Sequence, residues 1–146
     1  MVEIESFLKG VDGRFIRVEA CRASPPDIDY IEGAIRLSVD GVEMIGTTEW
    51  DYVDQLWCYI AEMVEKLKRS GYAETYFPDQ PIMLSFRSVG HRVLLVAKIG
   101  EEVRAAYATY TDLVDVVNSA GVAFFDRMSE LAPGNSYTEA RKQLSA

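Results

Sequence analysis

Apolar positions follow two periods along this chain, and the places where one gives way to the other predict its elements. Residues 2–8 alternate weakly, and Phe15-Ile16-Arg17-Val18-Glu19-Ala20-Cys21 has the β-branched content and alternation of a strand, with Asp12-Gly13 as a turn between them. Ser24-Pro25-Pro26-Asp27 reads as a loop, because proline has no amide hydrogen to give a ladder and restricts the residue before it. In Ala34-Ile35-Arg36-Leu37-Ser38-Val39 the apolar residues again take alternate positions. Asp40-Gly41 accepts the positive φ angles of a two-residue type I′ turn, and Val42-Glu43-Met44-Ile45 completes a hairpin.

The period then changes. Trp50, Val53, Leu56, Trp57, Ile60, Val64 and Leu67 recur at three- and four-residue steps, the stripe of an amphipathic helix. Thr47 or Thr48 would cap it, Glu49 and Asp51 would suit its positive end and Lys66, Lys68 and Arg69 its negative end, with Gly71 as the stop. Tyr72 to Pro81 reads as an aromatic, proline-containing connection. Residues 82–86, 92–97 and 103–107 read as three strands joined by short turns, and the apolar run 93–97 predicts a central strand buried on both faces. Leu113, Val116, Val117, Ala120, Phe124, Met128 and Leu131 mark a second helix from about Thr111, ended by Pro133-Gly134. Residues 136–146 suit a short terminal helix or tail. The order ββββα-βββα predicts an α+β fold, an antiparallel sheet of six to seven strands packed by two long helices in a single domain over 1–146. One sheet and two sheets both satisfy the pattern.

Composition narrows the class. At 146 residues and 49% hydrophobic content the chain is long enough to bury a core without a disulfide or metal. Met1-Val2-Glu3-Ile4-Glu5 lacks the basic start and apolar centre of a signal peptide, no apolar run approaches the roughly 20 residues of a membrane span, and a cytoplasmic location is expected. Cys21 and Cys58 lie far apart in dissimilar segments, so reduced thiols are expected. The formal charge of −8 argues against nucleic acid and anionic membrane as partners. Between Ser24 and Glu65 ten acids stand against Arg36 alone, whereas the rest of the chain is balanced. Such asymmetry predicts a one-sided potential that draws a basic protein partner, or else a solubilising surface.

Catalytic groups are scarce. The single histidine, His91, falls in a predicted turn beside Gly90, with no neighbouring nucleophile or orienting carboxylate. The glycines are scattered at turns rather than gathered into a phosphate-binding loop, and Asp27-Ile28-Asp29 lacks the glycine and later glutamate of a calcium loop. No enzyme activity, metal or cofactor is therefore expected. The one constellation the sequence offers lies on the first helix: Asp51, Asp54, Glu62 and Glu65 gather around Cys58 opposite the core stripe, flanked by Tyr52, Gln55, Tyr59 and Met63. Acidic and aromatic together, this face is expected to bind the basic partner. On the alternative reading, Tyr52, Tyr59 and Met63 only widen the core stripe.

At Trp50-Asp51-Tyr52-Val53-Asp54-Gln55-Leu56-Trp57, Phe77-Pro78-Asp79-Gln80-Pro81-Ile82 and Phe124-Phe125-Asp126-Arg127-Met128 the chain resembles small uncharacterised bacterial α+β proteins. Some of these resemble the immunity proteins that protect a cell from secreted polymorphic toxins. The resemblance covers roughly residues 40–134 and implies a cytosolic inhibitor of a toxin domain; it supplies no binding residues. Two other classes stay open: a small-molecule binding domain or modest enzyme with an aromatic pocket lined by Tyr72, Tyr76, Phe77, Tyr107 and Tyr110, and a domain that pairs with itself through a sheet edge or tyrosine face.

Overall fold

The weak alternation at the start of the chain forms β1 (Val2–Lys9), which lies at the centre of the first of two antiparallel sheets in this computed structural model, which describes residues 1–145. β2 (Phe15–Arg17) and β3 (Glu32–Val39) flank it, and β4 (Val42–Ile45) follows β3 through the Asp40-Gly41 turn. Both turn residues have positive φ, 49° and 81°, as a type I′ hairpin requires. A two-residue strand, β5 (Asp51–Tyr52), pairs with the start of β3 and leads into helix α1 (Val53–Ser70). The second sheet is a meander in sequence order: β6 (Tyr72–Tyr76), β7 (Ile82–Val89), β8 (Arg92–Ile99) and β9 (Glu102–Thr109). Helices α2 (Tyr110–Leu131) and α3 (Thr138–Ser145) complete an α+β fold.

The predicted elements stand, with physical reasons for each departure. Residues 47–49 form a 3-10 turn instead of the first turn of α1, because the Glu49 carboxylate reaches back to the Gly46 amide at 3.1 Å and closes the chain there. Residues 18–20 likewise leave the strand as a 3-10 turn. Tyr72–Tyr76, read as a connection, is an edge strand whose alternation was masked by the prolines after it. The run 93–97 is buried on one side only: Val93, Leu95 and Ala97 face the core, while Leu94 and Val96 are half-exposed. Helices cover one face of that sheet.

A single hydrophobic cluster draws on both sheets and all three helices. On the first sheet Val2, Ser6 and Leu8 share the core face with Gly33, Ile35, Leu37 and Val39. At its centre the fully buried Trp57 stacks on Phe124 at 5.9 Å and meets the edge of Phe125 at 6.4 Å, while its indole N–H donates to Ser6 Oγ at 2.9 Å. The helices close on this ring because α2 carries Gly121 there; a Cβ on it would sit 2.8 Å from Trp57 Cζ3 and 2.3 Å from Leu144 Cδ1 of α3.

Candidate interaction site

The structure divides the seven residues expected to bind a partner. Asp51 is only 2% exposed, and its carboxylate accepts the amides of Tyr52 at 2.6 Å, Asp79 at 3.1 Å and Gln80 at 2.8 Å. It ties the 79–80 loop to β5 and offers nothing to a partner. Asp54, 9% exposed, accepts the Tyr137 hydroxyl and the Gln55 amide, each at 2.9 Å. Burial pushes its pKa up, against the pull of those hydrogen bonds. The two acids leave the predicted face for different reasons: Asp51 precedes α1 in β5 and is capped by the 79–80 loop, whereas over Asp54 the α3 helix, with the segment before it, folds back on α1 and buries Tyr137, Ala140 and Leu144 there. Met63 is buried as well, so the wider core stripe is the correct reading for it. Tyr52, Gln55 and Tyr59 are half-buried, whereas Glu62 and Glu65 are exposed, Glu65 paired with Arg69 at 3.4 Å.

A different acidic and aromatic group assembles at the end of the first sheet. Because Glu32 pairs with Tyr52 across β3 and β5, the preceding loop brings Tyr30 onto Tyr52, with ring centroids 5.4 Å apart. Tyr30 remains 58% exposed. Partial burial, and the carboxylates of Asp79, Glu32 and Asp51 around it, push the Tyr52 phenol up. Asp27 and Asp29 stand on the same loop, held in a turn by the Asp29 amide on Asp27 Oδ1 at 2.9 Å. Beside them a cleft of about 270 Å³ is lined by Pro25, Pro26, Asp27, Tyr30 and Glu32, with Lys9 resting over the Trp50 ring at 3.6 Å. The sequence held two signals for this cluster, Tyr52 on the predicted binding face and the acids of Asp27-Ile28-Asp29. Tyr30 and Asp79 come from segments that only strand pairing and the Asp51 carboxylate bring together.

The five residues of the aromatic pocket disperse. Phe77 enters the core, Tyr110 is half-buried against it, and Tyr76 and Tyr107 are exposed on the far face of the second sheet. Tyr72 lies beneath the Arg87 guanidinium at 4.3 Å. Among the described residues these five do not face one common space.

A groove of about 430 Å³ does run between α1 and the α3 segment, lined by Cys58, Glu62, Ser136, Thr138 and Gln143. Its thiol is held as a poor nucleophile, since burial, with Asp54 and Glu62 adding, pushes the Cys58 pKa up to about 11. Burial also raises the Cys21 thiol. His91 is exposed in the turn between β7 and β8. Among the described residues no group of three or more His, Cys, Asp or Glu side chains is placed to hold a metal ion, and no helix is long and apolar enough to cross a membrane. No family model, curated protein or solved structure matches the chain.

Proposed function

We propose that this chain is a non-catalytic binding protein that occludes a basic protein partner, in the manner of an immunity protein bound to a toxin domain. The acidic cluster around the Tyr30–Tyr52 pair carries this reading. Two tyrosines supply rigid contact area at small cost in side-chain entropy, and Glu32, Asp79, Asp27 and Asp29 around them set a negative potential that steers a cation-rich surface onto the rings. Glu62 and Glu65 on α1 extend the negative field without forming part of the same cluster.

The reading is tested by capture from the native cytosol and by co-expression with a neighbouring toxin-like gene product, at low and then raised salt. Wild type is compared with a Glu32→Lys, Asp79→Lys variant and with a Glu62→Lys, Glu65→Lys variant. A basic protein retained by wild type, released as salt rises and lost on the first variant supports both function and site. Loss on the second variant alone would move the site to α1. Retention of nothing at low salt, with no protection on co-expression, would remove the immunity reading.

A further inference from the structure

The outer faces of the two sheets are finished differently. On the first sheet, Glu5 is paired with Arg17 and with Arg36, and Arg36 with Glu43, so charged side chains spread across the strands and meet water. On the second, the ladder registers place Tyr76, Met83, Leu94, Val96, Val103 and Tyr107 on one outward face. Tyr76, Val103 and Tyr107 are 69%, 60% and 44% exposed. Two of the cations on this face sit over rings: Arg87 is 4.3 Å from the Tyr72 centroid and Arg92 is 4.5 Å from that of Tyr107. A contiguous apolar face of this kind marks an interaction surface.

We infer that this face docks a second copy of the chain, sheet against sheet. Three strands of eight residues and one of five, at about 4.8 Å spacing and about 3.4 Å rise, give roughly 470 Å² of face per copy, or just under about 1,000 Å² for the pair, close to the lower bound of a specific interface. Charge selects the same face. Each copy carries a net charge of −8, so two copies approach most easily where acids are scarcest. Among the outward positions of β6–β9 the one acid is Glu74, against Arg87, Arg92 and Lys98.

The register is also self-complementary. A two-fold axis along the strands lays β6 over β9 and β7 over β8 of the second copy, the aligned packing of a β-sandwich. Across the ladder, Arg87, Leu94 and Tyr107 form one row with Tyr72, and Met83, Lys98 and Val103 form another with Tyr76. The two-fold then sets Arg87 against Leu94, Lys98 against Met83, and Tyr72 against Tyr107. No cation opposes a cation, and Glu74 opposes Ala105 rather than its own copy. The Tyr30–Tyr52 pair sits on the first sheet, with only Asp79 contributed by the β6–β7 connection and none of its residues on the outward positions of β6–β9, so this docking does not depend on the proposed function.

Sedimentation velocity on the full chain from about 1 to about 100 µM tests it, a range that spans the affinities of interfaces near this size. A dimer is expected, and raising NaCl from about 20 to about 300 mM should tighten it severalfold, because screening relieves repulsion between two acidic copies joined through apolar contacts. Val96→Glu, at the centre of the face, and Tyr76→Glu, at its exposed rim, should each weaken association at least about tenfold with unchanged far-UV circular dichroism, whereas the Glu32→Lys, Asp79→Lys variant should remain dimeric. A wild type that stays monomeric at the highest concentration in both salts overturns the inference and leaves the face to another partner. Equal association by wild type and Tyr76→Glu overturns it too.

Discussion

Burying the Asp54 carboxyl beneath Tyr137 removes solvation that one phenol and one amide do not fully replace, which is why its pKa rises. A carboxyl whose pKa is higher folded than unfolded favours the protonated fold, so its contribution to stability is present at low pH and is lost as pH rises through the folded value. At pH 7 the ionised group is a net cost. Asp54→Asn keeps an acceptor for the Tyr137 hydroxyl without the charge, so the variant should melt no lower than wild type at pH 7, with the difference closing towards pH 4 in thermal melts. A markedly lower melting temperature at pH 7 would mean that the negative charge, at the start of α1, is worth more there than its solvation. Gly121 makes the opposite case, in which space outweighs helix propensity. Alanine gains about 1 kcal/mol in a helix interior, yet its Cβ would lie 2.3 Å from Leu144 Cδ1 and 2.8 Å from Trp57 Cζ3, and overpacking of this kind costs about 1–3 kcal/mol. Gly121→Ala should therefore lower the unfolding free energy in urea, and a gain would show that Leu144 yields freely. The hydrophobic period pointed Trp57 inward. Nothing in it marked the glycine on the next helix that makes room for the ring.

At the scale of elements, legibility tracked how local the cause of each element is. The β3–β4 hairpin was readable because Asp40-Gly41 tolerates two successive positive φ angles, and the three-strand meander because its turns are short. The start of α1 was misread, because Thr47, Thr48 and Glu49 look like a capping sequence, while the strand that replaces it depends on β3 and on amides 28 and 29 residues further along. The same holds for α3. Its sequence suggested a short terminal helix or tail, and the helix forms, but its role as a cover for α1 depends on distant partners, among them the Tyr137 hydroxyl meeting a carboxylate 83 residues away. Tyr137→Phe leaves the buried Asp54 with the Gln55 amide alone and should cost about 1–3 kcal/mol. It should also loosen the cover over Cys58. The wild-type thiol, held near 11, presents about one part in a thousand as thiolate at pH 8, so iodoacetamide should modify it slowly. Peptide mapping should find Cys58 alkylated severalfold faster in Tyr137→Phe. An unchanged rate would mean that α3 stays docked without the hydroxyl.

For the whole molecule, the sequence announced the sign and crowding of the charge correctly and its placement incompletely, because three of the ten crowded acids turn inward to hold the chain together. Asp51 binds a loop, Asp54 receives α3, and Glu49 joins the two sheets. This last link is the most demanding. The Glu49 carboxylate, 3% exposed, takes Arg104 Nη1 at 3.0 Å across from β9 as well as the Gly46 amide, and Arg104 also reaches the Met44 carbonyl at 3.4 Å. An interior ion pair adds little over an apolar pair, but stripping one partner leaves a buried charge uncompensated at about 3–5 kcal/mol. Arg104→Met should therefore destabilise strongly, by about 3 kcal/mol. Glu49→Gln retains an acceptor for Gly46 and removes the charge, so adding Arg104→Met to it should cost less than half as much. Urea titrations of the four proteins give the coupling directly. A large positive coupling identifies this pair as the electrostatic tie between the sheets. Simple additivity would instead mean that Glu49 reaches enough water to keep its charge alone, and that the sheets are joined by the hydrophobic cluster without it.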